Sequence, residues 1–389
     1  MRSDETIHSL LEDVDCSLAA QLKKGGAPVA SLVVRRNGTD LVHKVYRNAL
    51  DRTVSGCAEP LFRIGSQSKT LTVAALITLI DRGIVPRTAP ICDLLPELGF
   101  KANTPIGRAT ILQLARHQSI LGRIDALLLR GRGGQYRLPR RPWRAEELLD
   151  AVTKGRWNVS PRARPFCEYS DVGIALLGLI IERASGMSYD RYVRTRVLRP
   201  NGLVSLRPIY REAEWPPRHE LLTGHYNPAR PSQGTPFDLG ALNPSFSAVA
   251  SAGGSARFYD SLLAGRLLSP WMTASLTAAA IPLWPEREDY RYGLGVIELP
   301  IEGVPTPQNC YGHLCIFAGF CGFTAYHPLS RTTISLFLNT MMSHEDADGC
   351  SRRANPAGFV RAIFAKIAGR AAAQQGWAAP RPRLSLWRS

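Results

Sequence analysis

Apolar positions run without a polar face from Leu71 to Ile80, and the five residues leading into them, Gly65-Ser66-Gln67-Ser68-Lys69, are small or polar. A run that is apolar all round predicts a helix buried in a domain. It spans 66–83, with Gly83 as its stop. Its first turn then points Ser66 and Lys69, three residues apart, from one face into the interior. Upstream, residues 5–24 predict an amphipathic helix. PVASLVVRR, the pair Asn37-Gly38 and LVHKVY predict a hairpin. From about residue 86 to 250 prolines and arginines separate two clear helical runs. One is Asp171 to Ser185, ended by Gly186, and the next is Ser188 to about Leu198. After 285 β patterns return in YGLGVIEL, FTAYHP and TTISLFLNT, followed by a helix over roughly 357–373. No internal repeat is present. This order predicts an α+β fold, with an antiparallel sheet built from both chain ends, flanked by the terminal helices, and a mostly helical region inserted. The expected domain covers 1–375, with sheet parts 1–100 and 250–375, a helical insertion 101–249, and a basic tail 376–389.

Composition changes this picture little. The 389 residues are 45% apolar and 21% charged, ordinary for a globular enzyme and ample for a large core. The net charge of +16 is unusual, and only seven of the 48 basic residues are lysine. The arginines are scattered except for a cluster between Arg123 and Arg144, which reads as a solvated loop rather than a nucleic-acid surface. The start, MRSDETIHSLLEDVDC, lacks a basic-then-apolar leader. No apolar run approaches the ~20 residues that span a bilayer. The eight cysteines form no C-x-x-C pair, and Cys310, Cys315 and Cys321 have no paired histidines beside them at metal-ligand spacing. The expectation is a cytoplasmic protein with reduced thiols, no metal or cofactor, and neither nucleic acid nor membrane as partner.

Candidate chemistry sits at the polar helix mouth. FRIGSQSKTLT resembles the serine–x–x–lysine signature of the penicillin-binding protein and class C β-lactamase superfamily, with its esterase and transesterase relatives. A bare S-x-x-K is weak; the extended F-x-x-G-S-x-S-K-x-x-T opening a buried helix after a hairpin is far more specific. PFCEYSDVGIALLGLIIERASG resembles the family's second motif, tyrosine–x–asparagine leading into a helix. YGHLCIFAGFCGFTAYHP resembles the third, a His-x-Gly strand in esterase-like members. NPSFSAVASAGG and the YGLG at Tyr292 also look like family segments. The resemblance covers roughly 25–340 and is nearest in flavour to fungal members, some of which act on polyketides.

Serine is a poor nucleophile without an adjacent base. Lys69, one turn from Ser66, reaches its hydroxyl, and if desolvated can serve as that base. The resemblance implies that Tyr169 is a second base that later protonates the leaving group, which requires a neighbouring ammonium to lower its pKa. It also implies an oxyanion site from the N–H groups of Ser66 and Ile316. The product is an acyl-enzyme that passes its acyl group to water, an alcohol or an amine. Ser66 as a plain helix cap, Tyr169 as a core aromatic and His313 as a satisfied strand-end histidine are the bland alternatives.

Four departures bear on the substrate. Asp171 stands where the family has asparagine, so a negative charge is expected near Lys69, raising its pKa and leaving more of the work to Tyr169. His313 replaces the lysine that anchors a β-lactam carboxylate. Both point to neutral esters or thioesters of small secondary-metabolite-type molecules, free or presented by a carrier protein. Cys315 replaces the motif's glycine and, by period-two alternation, is expected to point with His313 and narrow the slot beside Ser66. RHQSILGR departs from the usual S-H-x-S-G-L. A serine hydrolase or acyltransferase is the expected function, and a degenerate, non-catalytic relative the alternative.

Overall fold

The computed structural model describes residues 29–47, 59–119, 121, 142–147, 150, 167–209, 220–227, 230–231, 239–278, 280–284, 287–304, 306–340, 342–345, 351–353 and 355–374. The hairpin forms as expected: β1 (Val29–Arg36) and β2 (Thr39–Arg47) pair antiparallel through Asn37-Gly38, with Arg36 opposite Thr39. Both turn residues have positive φ, which matches the twist of the two strands. The third strand is a short one, β3 (Phe62–Arg63), leading into helix α1 (Gln67–Asp81). Later strands are β4 (Leu206–Pro208), β5 (Ala248–Ala250), β6 (Ile281–Trp284), β7 (Arg287–Tyr292), β8 (Ile297–Pro300), β9 (Asn309–Phe317), β10 (Phe320–His327) and β11 (Thr332–Leu338). The main sheet has the order β2-β1-β11-β10-β9-β8-β7-β6, antiparallel throughout. Strands from the two chain ends meet where β1 pairs with β11, Ala30 opposite Leu338.

Both faces of this sheet are covered, so its central strands are buried at every position rather than alternately. Ala30, Leu32, Val34, Phe323, Ala325, Ile334 and Leu336 face one core with Val360, Ile363 and Phe364 of the C-terminal helix α5 (Pro356–Gln374). Val29, Val33, Phe317 and Phe337 face the other core, with α1 and with α4 (Ala252–Leu263). The cover of this second face therefore includes a mid-chain helix, which the pattern of terminal helices did not supply. The expected helix at 5–24 and the arginine cluster lie outside the described residues, the latter except for Trp143, Arg144 and Pro142.

The mostly helical insertion also contributes short strands: β4 and β5 join β3 in a small three-stranded sheet, because Ala248–Ala250 pairs with Phe62–Arg63 on one side and Leu206–Pro208 on the other. YGLGVIEL runs from the end of β7 around a corner into β8. Gly295 takes φ +68°, Gly293 N–H donates to Val296 O, and Leu294 N–H donates to Leu276 O.

Helix α2 (Asp171–Ser185) starts at Ser170, whose hydroxyl accepts from Gly173 N–H at 3.0 Å, and stops at Gly186 in the left-handed region. Its Gly178 lets α3 (Asn243–Phe246) approach closely, since a Cβ there would lie 2.3 Å from Pro244 Cγ. That approach sets Ser245 and Phe246 against the first turn of α1.

Phe364 is fully buried between α5 and the sheet and packs against His327. Phe364→Ala is expected to cost about 3–5 kcal/mol, read as a lowered urea midpoint with little change in slope.

Candidate active site

The polar mouth of α1 divides into two jobs. Gln67 and Ser68 fasten the helix. Gln67 Nε2 donates to His313 O at 3.1 Å, Gln67 Oε1 accepts from Ser255 Oγ at 2.7 Å, and Ser68 Oγ accepts from Ala248 N–H at 3.1 Å. All three polar side chains from Gln67 to Lys69 are buried, whereas Ser66 is half-buried. Gly65, at φ +47°, makes the turn that presents it, and a Cβ there would meet Phe317 Cβ at 2.7 Å.

Ser66 does not cap its helix. Its backbone is helical and its side chain makes no cap bond. Its Oγ instead accepts from Lys69 Nζ at 3.2 Å. Lys69 Nζ also donates to Ser245 O at 3.2 Å and forms an ion pair with Asp171 Oδ1 at 2.8 Å. The rings of Phe246 and Tyr169 flank the charge, with centroids 4.2 and 4.9 Å from Nζ. Burial by itself pulls the Lys69 pKa down, but Asp171, and after it Tyr169, outweigh that and hold it above the ordinary lysine value. The charge expected from Asp171 is thus present and paired with the lysine.

Tyr169 lies beside both Ser66 and Lys69, its ring centroid 4.9 Å from Lys69 Nζ. Its phenol stands above the ordinary tyrosine value, a correction to the expected lowering. Burial pushes it up most; Lys69 pulls it back; Asp171 pushes it up again. The ammonium acts as expected, but burial outweighs it and Asp171 opposes it. In the resting site the lysine is therefore charged and the phenol is neutral.

His313 lies on β9, buried, with Nε2 at 3.1 Å from Tyr292 OH and Nδ1 at 2.9 Å from Leu314 O. Burial lowers its pKa to about 3, aided by Lys69, so it is a neutral ring bonded into the wall of the site. It brings no cation to the place where the family carries lysine. Cys315 does not narrow the slot. It is fully buried, its thiol donates to Arg63 O at 3.1 Å, and it packs beneath the β3–α1 turn. Ile316 is half-buried on the same strand, opposite Cys321. Cys92, Cys167, Cys310, Cys315 and Cys321 are free thiols.

Several neighbours were not singled out from the sequence. Ser245 and Phe246 lie in NPSFSAVASAGG, a segment noted without roles for its residues. Phe246 stacks on Phe317 at 5.0 Å between centroids. Tyr292 and His117 pack against each other at 4.5 Å, though 175 residues separate them in the chain.

A serine–x–x–lysine helix end set beneath a helix-covered antiparallel sheet defines the β-lactamase/transpeptidase-like class of fold. The chain belongs to the beta-lactamase family, whose model matches residues 14–359. Protein flp of Staphylococcus aureus is 22% identical over 213 residues, 54% of this chain and 40% of that protein. The chain thus spans less than half the length of that curated relative. The D-amino acid amidase of Ochrobactrum anthropi SV3 superposes with a TM-score of 0.74 at 18% identity, over 95% of this chain and all of the amidase. A class C β-lactamase from Rhodobacter sphaeroides superposes at 0.65 with 20% identity, over 93% of this chain and 98% of that one.

A histidine held neutral only by folding destabilises the protein as it is forced to charge. The His313 contribution is fully present above pH 6.5, its ordinary value, and is lost as pH falls through about 3. The stability advantage of the native chain over His313→Gln is therefore expected to shrink across that window, by up to about 1.4 kcal/mol per pH unit, in urea titrations at matched ionic strength.

Proposed function

We propose that this protein is a serine hydrolase or acyltransferase that forms an acyl-enzyme on Ser66. The observation that carries this reading is the placement of the half-buried Ser66 Oγ, which accepts from Lys69 Nζ at 3.2 Å with Tyr169 beside both. Ser66 attacks the substrate carbonyl and its proton passes to Tyr169, which must be a phenolate at that moment. Lys69 remains an ammonium and holds both oxygens. The developing oxyanion is met by the N–H of Ser66, at the positive end of α1, and by that of Ile316. Tyr169 returns the proton to the leaving group, and water or another nucleophile releases the acyl chain by the reverse sequence.

The substrate class follows from the charges. Asp171 replaces a neutral amide and His313 replaces a cation with a neutral ring, so the site has lost its attraction for a carboxylate. Its described walls include the rings of Phe246, Tyr169 and Tyr292. These features support a small ester or thioester of secondary-metabolite type, without an anionic group beside the reacting carbonyl, free or carried on a carrier protein. The burial of Cys315, with its thiol tied to Arg63 O, favours a working site over a degenerate one.

Brief exposure to a fluorophosphonate, an activated short-chain ester, an acyl thioester, an amide and a penicillin, followed by intact mass measurement, tests the reading. One adduct per chain is expected with the ester, thioester or fluorophosphonate, and none with Ser66→Ala. A folded native chain that takes no adduct from any of the five would be a non-catalytic member of the fold.

Because the resting phenol is neutral, kcat/KM for ester cleavage is expected to rise with pH through the neutral range. Asp171→Asn removes the charge that raises both Lys69 and Tyr169, so the rising limb should move to lower pH. Activity at pH 7 should increase about tenfold for each unit of that movement. A pH–rate profile in which Asp171→Asn leaves the limb in place would show that the carboxylate does not govern the base.

A further inference from the structure

We infer that His117 is a positioning residue for Tyr169, holding the phenol in line for proton transfer; this rests on the role proposed above for Tyr169. The peptide N–H groups on either side of the tyrosine both end on this one histidine. Glu168 N–H donates to His117 O at 2.9 Å, and Ser170 N–H donates to His117 Nδ1 at 3.1 Å. The imidazole also lies against the tyrosine ring, with centroids 4.4 Å apart and planes tilted by 42°. Its other side meets Tyr292 at 4.5 Å, and Tyr292 is bonded through its hydroxyl to His313 at 3.1 Å. His117 thus links the loop bearing Tyr169 to the wall built on β9.

The segment needs such a restraint. Residues 167–170 belong to no helix or strand, and Tyr169 precedes the N-cap of α2, so helical hydrogen bonding does not fix it. His117 itself is firmly held. It is fully buried at φ +55°, just past a short helix, Ile111–Ala115, whose first turn is closed by a reciprocal Thr110–Gln113 capping box. A phenol oxygen sits at the end of a long lever, and a misplacement of about 1 Å in a reacting group can cost about a hundredfold in rate.

The hydrogen-bond direction also fixes how His117 acts. Nδ1 accepts from a peptide N–H, so the ring is neutral with its proton on Nε2. It puts no charge beside Tyr169 and works by position alone. Its loss should therefore lower the rate without moving the pH limb, whereas removing a charged neighbour such as Asp171 moves the limb.

The test uses the full chain, an activated short-chain ester for kcat and KM, and a fluorophosphonate for the rate of Ser66 labelling. His117→Asn keeps an acceptor near the Nδ1 position and tolerates positive φ. His117→Gly accepts the φ but offers no acceptor. His117→Gly is expected to lower kcat by about ten- to a hundredfold, with KM within about twofold and the pH limb unmoved. His117→Asn should recover most of that loss. In a Tyr169→Phe background His117→Gly should cost less than about twofold, because the group it positions is already gone. The same fold loss in both backgrounds, a shifted pH limb, or an asparagine variant no better than glycine at equal melting temperature would overturn the inference. If the glycine variant does not fold, His117→Gln, which moves the acceptor outward by a methylene, takes its place with the same expectations. If Tyr169→Phe keeps the native rate, or the native chain neither turns over the ester nor takes the label, the role of Tyr169 fails and this one fails with it. That result is distinct from a slow Tyr169→Phe onto which the His117 loss simply multiplies.

Discussion

The buried ammonium of Lys69 is the constraint around which the rest of the site is arranged. Removing such a charge from water costs several kcal/mol unless its protons find acceptors. Here they find Ser66 Oγ and Ser245 O, and the charge pairs with Asp171 Oδ1, so the partners come from the start of α1, from α3 and from the start of α2. Three elements distant in sequence must therefore converge on one nitrogen. The small-residue contacts that permit this, Gly178 under Pro244 and Gly65 under Phe317, follow from the same requirement. Once made, the convergence holds the Ser66 hydroxyl against the lysine.

The sheet supplies rigidity. Gln67 ties α1 to β9 through His313 O and to α4 through Ser255, and Ser68 ties it to β5. These bonds satisfy polar groups that would otherwise be buried at a cost. They also fix the helix end to a strand that pairs with β8 from Asn309 to Gly312 and with β10 from Tyr311 to Phe317. The polar residues that looked anomalous at the mouth of an apolar helix are thus divided between chemistry and fastening, position by position.

Two substitutions relative to the family motifs act together. A cation becomes neutral at His313 and a neutral amide becomes anionic at Asp171, so the site shifts toward negative charge at both places. Burial holds the Tyr169 phenol neutral, and the same carboxylate that stabilises the Lys69 ammonium adds to that effect.

Much of this was legible in the chain. The hairpin at Asn37-Gly38, the buried helix after Ser66 and the helix bounded by Ser170 and Gly186 are written in local signals: turn residues, apolar periodicity and caps. The pairing of Asp171 with Lys69 was also foreseeable, since both positions belong to motifs that meet in this family. Other features depend on contacts between distant segments, which no local pattern encodes. The strand at 248–250 is short and declares itself only by pairing with 62–63. Cys315 and His313 share a strand parity, yet the thiol turned to a carbonyl of β3 while the imidazole turned to Tyr292. The balance of burial and two opposing charges that sets Tyr169, and the grip of His117 on it across some fifty residues, were decided by packing. Sequence determined which groups are available and which helices carry them; their protonation and mutual reach were set by the low-dielectric interior that only the folded chain creates.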